Sequence, residues 1–176
     1  KQTESFAVAE GLLVAAVTED PANGVLLETL YQVYLLTSRY AEALILFDQH
    51  LEISPDDPKL LQNKALAHMR LGQYGKAIAP LTLVLSKDPA NAFARLNRAI
   101  SYYREGDDEN AKLDYQLVAE TLPNHPAIHF GLGRIAERLG DKAAAMLHFA
   151  QYLEHAPKET DEYREIGESL STLKGQ

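Results

Sequence analysis

The stretch Leu71–Pro89, LGQYGKAIAPLTLVLSKDP, decides how the rest of the chain is read, because its punctuation returns at one interval in both directions. Pro21, Pro55, Pro89, Pro123 and Pro157 stand 34 residues apart. Ala9, Ala43, Ala77, Ala111 and Ala145, each 12 residues ahead of one of those prolines, make a second ladder without gaps. Gly72, Gly106 and Gly140 make a third, with Ser38 standing at its first place. A strict period of this length marks a solenoid, in which one supersecondary unit recurs and each copy packs only against its neighbours.

These three ladders make the chain resemble the tetratricopeptide repeat family across essentially its whole length. The resemblance implies an all-α fold, a right-handed superhelical solenoid of antiparallel helix pairs closed by a C-terminal capping helix. Residues 1–176 then form a single domain: a partial repeat at 1–23, full repeats at 24–57, 58–91, 92–125 and 126–159, and the cap at 160–176. Apolar spacing and turn residues predict helices at 3–18, 24–37, 40–53, 58–71, 74–87, 92–105, 108–121, 126–139, 142–155 and 160–173.

Departures from the repeat are informative. Ala9 and Leu13 fall where a second helix carries its core residues, so the first unit is half present. Tyr31 occupies the place held later by Ala65, Ala99 and Gly133, and a ring there predicts atypical packing at the N-terminal end. Pro58 and Pro126 suit a first helical turn, where a missing N–H costs nothing. Pro80 falls inside a helix, where proline costs about 3 kcal/mol and usually kinks the axis. Arg95 and Arg98 replace Leu61 and Lys64 of the preceding unit. The acidic pairs Asp56-Asp57 and Asp107-Asp108 sit at helix starts, where capping and the helix dipole explain them. In the final segment Tyr163, Ile166, Gly167 and Leu170 form one apolar stripe on a polar helix, as a terminal cap requires.

Composition excludes several functions. There is no cysteine, hence no disulfide frame and no thiolate metal site, which leaves both cytoplasm and periplasm open. A net charge of −8 opposes a duplex-binding surface. No apolar run is long enough to span a membrane, the stretch from Phe6 to Val17 being interrupted by Glu10 and Gly11. The chain begins at Lys1 rather than Met, which reads as a trimmed or processed product, so that any signal peptide or anchor it had would have been cut away. His125 and His129 have the spacing of a metal pair on a helix, but Pro126 lies between them and no third ligand is evident. No nucleophile triad, phosphate loop or paired catalytic acid stands out, so the expectation is a non-enzyme without cofactor or metal.

In the family, the first helix of each pair lines a concave groove, and the resemblance implies that this groove takes an extended peptide or a partner helix. Asn63 and Asn97 are one repeat apart, flanked in register by Thr29 and Gly131, and a carboxamide can pair with any peptide backbone. Arg70, Arg104 and Arg138 recur once per unit and, with Lys59 and Arg134, predict a locally basic groove. Arginine forks favour carboxylates, so an acidic peptide or a free C-terminus is the expected ligand. Leu66, Met69, Leu96, Ile100 and Phe130 share the inward positions, and Phe93 and Tyr103 are the expected anchors. The chaperone-binding members use a clamp of two lysines, two asparagines and an arginine. Here Asn63 fits one of its places, but Glu28, Gln32, Phe93 and Asn97 hold the others, which argues against that ligand. The alternatives are self-assembly, as a homodimer covering the N-terminal helix, and an accessory region of a larger enzyme.

Overall fold

A computed structural model describes residues Gln2–Gly175, with side chains from Val8 onward; Phe6, where the N-terminal apolar stretch begins, lies outside the described side chains. Among the described residues there are ten helices and no strand: α1 (Gln2–Glu19), α2 (Gly24–Leu36), α3 (Tyr40–Ile53), α4 (Pro58–Arg70), α5 (Tyr74–Lys87), α6 (Ala92–Glu105), α7 (Asp108–Ala119), α8 (Pro126–Arg138), α9 (Lys142–His155) and α10 (Asp161–Gly175). They gather into two compact units that meet between Pro89 and Ala90, with α1–α5 in the first and α6–α10 in the second. No described helix is long and apolar enough to cross a membrane.

Each ladder has a physical task. The five prolines all fall in exposed turns between successive pairs. Gly72, Gly106 and Gly140 adopt φ of 71°, 83° and 74°, and Ser38 takes the same left-handed conformation at 59°. Those residues reverse the chain within each pair, a conformation glycine adopts without steric penalty. Starts are capped by side chains: Asn23 accepts from the Val25 and Leu26 amides, Asp57 from Lys59 and Leu60, Asn91 from Ala94, Asp107 from Asn110 and Asp141 from Ala144. The acidic pairs thus do cap, each through its second or first member, while Asp56 bonds Lys87 at 2.8 Å and Asp108 pairs with Arg138. α5 runs unbroken through Pro80.

In the first unit the core joins Leu27, Leu30, Tyr31, Tyr34, Ala43, Leu46, Phe47 and Leu60. Tyr31 is fully buried, with its ring 4.6 Å from that of Phe47 and 6.2 Å from His50. The contact that elsewhere sets a small residue against a large one is here ring against ring, and burial pushes the Tyr31 hydroxyl up to about 12. Gly24 leaves room for the His50 ring, which would lie 2.8 Å from a Cβ placed there. Ala9 departs from its ladder. Ala43, Ala77, Ala111 and Ala145 are fully buried, but Ala9 is exposed, because α1 meets the core through Leu13 and Val17 and no described helix covers its other face. Arg39 fastens α1 through Glu10 at 2.5 Å.

In the second unit Leu96, Ala99, Ala111, Tyr115, Val118, Ile128 and Ile135 form one cluster, and Ala145, Phe149, Tyr152, Ile166 and Leu170 seal α10 onto α9 in another. A Cβ on Gly133 would fall 2.5 Å from the Phe149 ring, so the small residue expected at that place is required for the approach of α8 and α9. The substitution of Arg98 for the preceding unit's Lys64 is resolved by a buried carboxylate. Asp114 accepts from Arg98 Nε at 2.7 Å and Nη2 at 2.9 Å, and Arg95 Nη1 lies 3.5 Å away.

Candidate functional site

The nine residues singled out by the sequence divide between the two units. In the first, Lys59, Asn63 and Arg70 lie on α4. Asn63 is half-buried and its carboxamide makes no hydrogen bond among the described residues, while Arg70 is exposed with no ion-pair partner among them. Lys59 is bound to Glu28 at 2.6 Å, a pairing that raises the lysine's pKa and lowers the carboxylate's. In the second unit, α6 carries Phe93, Asn97, Tyr103 and Arg104. Phe93 is 66% exposed. Asn97 is half-buried, its carboxamide likewise unbonded among the described residues, and its backbone carbonyl accepts from the Ser101 hydroxyl at 2.8 Å. The asparagine register stops at Gly131 for a steric reason: a Cβ there would meet the Tyr115 ring at 2.3 Å.

Tyr103 and Arg104 line a cavity of about 410 Å³ lying wholly within the second unit. Ile100 joins them from α6, Pro126 and Phe130 from α8, Tyr115 from α7 and Tyr152 from α9. The rings pack against one another: Phe130 stands edge to face with Tyr103, 6.3 Å away at 83°, and tilted against Tyr152, 5.9 Å away at 56°. Tyr152 donates to Glu162 Oε2 at 3.0 Å, and burial, then that bond, push its hydroxyl up to about 12. Burial raises the Tyr115 hydroxyl well above the usual tyrosine value. His125 caps α8, its Nδ1 accepting from the Ala127 amide at 3.3 Å, which places a neutral ring's proton on Nε2.

Arg134 and Arg138 buttress this wall from behind. Arg134 lies 5.7 Å over the Phe130 ring and is held by Glu137 at 2.8 Å and by Glu165 of α10. Arg138 lies 4.7 Å over the Tyr103 ring and is held by Asp108. Carboxylates of the chain therefore neutralise Lys59, Arg134 and Arg138. Sequence reasoning identified Ile100, Tyr103, Arg104 and Phe130 as inward-facing, but it did not single out Tyr115, Tyr152, Thr160 or Glu162 as groove residues. The available sign was Gly131, whose missing side chain is what admits Tyr115 to the cavity wall.

The family model for the tetratricopeptide repeat matches residues 63–121 and 112–160, which together span more than half of the chain. The chain belongs to the tetratricopeptide repeat family. A DnaJ homolog subfamily C member 3 homolog from Dictyostelium discoideum is 35% identical over 102 residues, covering 54% of this chain and 20% of that protein. BBSome complex member BBS4 from Xenopus tropicalis is 27% identical over 131 residues, covering 74% and 25%. The chain thus spans a quarter or less of these curated relatives. Among solved structures, YrrB, described as a TPR protein with an unusual peptide-binding site, superposes with a TM-score of 0.80 at 16% identity over 95% of this chain and 86% of its own. The type IV pilus biogenesis factor PilW gives 0.75 at 20% identity over 99% and 80%. At those identities the likeness is one of fold.

Three ion pairs in this tetratricopeptide repeat protein share one offset. Lys59–Glu28, Lys87–Asp56 and Arg134–Glu165 each join residues 31 apart, three short of the repeat, or about one helical turn. Opposite charges at that offset were the signal that could have placed Lys59 and Arg134. The histidines have other duties: His129 Nε2 donates to the Pro123 carbonyl at 2.6 Å, and its Nδ1 lies 3.2 Å from His148 Nδ1. Among the described residues no group of three or more histidine, aspartate and glutamate side chains is placed to hold a metal ion.

Proposed function

We propose that the protein is a non-catalytic interaction scaffold that binds an extended peptide or a partner helix along the faces of its first helices. The observation that carries this reading is the aromatic cavity beside Tyr103, whose wall is fixed from behind by Arg134 and Arg138 and needs no rearrangement before a ligand enters. The carboxamides of Asn63 and Asn97 would pair with partner backbone, and Phe93 would cover an apolar side chain. With Lys59, Arg134 and Arg138 already paired, any preference for acidic partners rests first on Arg70, exposed at the end of α4. Pull-downs with wild type, the Asn63→Ala/Asn97→Ala double variant and Tyr103→Ala test the assignment. Both variants should recover much less partner, and undiminished recovery by both would reject it.

A second reading, self-association, is favoured by the outer face of α1, where Val8 is 64% and Leu12 68% exposed. A homodimer through that helix would show a concentration-dependent mass in light scattering. A mass that stays monomeric across a hundredfold dilution would dismiss it.

A further inference from the structure

We propose that the cavity in the second unit is an anchor site for a tyrosine side chain of the partner, selected over phenylalanine by the hydroxyl of Tyr115; this rests on the peptide-scaffold reading above. Tyr115 is 1% exposed, yet its hydroxyl makes no hydrogen bond to the protein among the described residues. It is not a sealed group, since His50 Nδ1 is the buried side-chain atom found without a partner among them. The small part of Tyr115 that remains accessible is therefore its polar end, and the residue lines the cavity. The close fit against Gly131 fixes the ring, with the oxygen 2.6 Å from where a Cβ would stand.

An occupant must satisfy three conditions. It must offer a flat apolar body, because the walls are the rings of Tyr103, Phe130 and Tyr152 with Ile100, and a further ring extends their edge-to-face and tilted packing. It must carry a polar tip, since a wholly apolar group would displace water from the Tyr115 hydroxyl and leave that oxygen unpaired. It must be neutral, because Arg104 and Glu162 on the lining oppose each other in sign and a full charge of either kind meets one of them unfavourably. A phenol meets all three, and as both donor and acceptor it matches the Tyr115 hydroxyl whichever way that proton points.

NMR titration of the full chain with p-cresol and with toluene reads the cavity without any peptide. Wild type should bind p-cresol at least about tenfold more tightly than toluene, with shifts centred on Tyr103, Phe130 and Tyr152. Tyr115→Phe keeps the ring against Gly131 and should bring the two probes within about twofold, with unchanged circular dichroism. Equal affinities in wild type, a preference that survives Tyr115→Phe, or shifts elsewhere on the chain would overturn the proposal. Loss of phenol selectivity overturns tyrosine alone. Partner recovery undiminished in both Tyr103→Ala and Asn63→Ala/Asn97→Ala overturns the peptide reading and tyrosine with it.

Discussion

Replacing Asp114 with alanine should be among the most damaging single changes outside the apolar core. Its side chain is 5% exposed and bonds Arg98 in bidentate geometry at 2.7 and 2.9 Å, with Arg95 at 3.5 Å. Removing the carboxylate takes a buried acceptor from both guanidinium groups, and breaking a buried pair from one side costs about 3–5 kcal/mol. Each arginine side chain keeps 18% of its exposure, so water recovers part of that, and about 2–3 kcal/mol is expected. The Asp114→Leu/Arg98→Met variant should recover most of the loss, because an apolar pair of similar volume asks for no desolvation of charge. Urea unfolding followed by both circular dichroism and tyrosine fluorescence measures this, two probes being needed because repeat arrays can unfold in stages. An Asp114→Ala loss below about 0.5 kcal/mol, or a double variant as unstable as the single, would refute the account of the pair.

Gly72→Ala, Gly106→Ala and Gly140→Ala should each cost about 1 kcal/mol by thermal melting, since nothing lies within 4 Å of the added methyl and the penalty is the left-handed backbone alone. Ser38→Gly should stabilise by a few tenths to about 1 kcal/mol for the converse reason, and a melting temperature that falls would count against it. Burial first, then the neighbouring His129 and Lys112, hold the His148 pKa below its ordinary 6.5. The unfolded chain therefore takes up that proton before the folded one, and His148 removes stability as pH falls through 6.5 toward its folded value. His148→Gln should show a smaller loss between pH 7 and pH 5 than wild type, and parallel pH profiles would exclude the effect.

The helices were legible to within two residues because each boundary is written locally: proline and aspartate or asparagine before a helix, glycine at its reversal, alanine at its tightest crossing. Tyr31 was equally legible as an anomaly, since a ring at a small-residue position has nowhere to go without altering its neighbours. The inward face was only half legible. Position in the repeat identifies Tyr103 and Phe130, but it says nothing about what their neighbours on the next helix do with charge. Arg138 reads as a ligand cation because its recurrence with Arg70 and Arg104 is visible in sequence, and Arg134 because it shares α8 with Arg138, whereas the partners Glu165 and Asp108 stand 31 and 30 residues away rather than one repeat and belong to no ladder. Tyr115 was hidden for a different reason. Its register position marks it as core, which it is, and only the empty space at Gly131 brings its hydroxyl to the cavity.

The ion pairs that tie one helix to another, Lys59 of α4 to Glu28 of α2 and Arg138 of α8 to Asp108 of α7, shape how the protein responds to electrolyte. An incoming acidic segment must compete with Glu28 for Lys59 or with Asp108 for Arg138, so the chain carries built-in surrogates for such a ligand. Added salt weakens those surrogates and the visiting carboxylate alike. An acidic partner that engages Lys59 or Arg138 should therefore change its affinity little with ionic strength, where one held by an exposed cation such as Arg70 would lose its grip steeply.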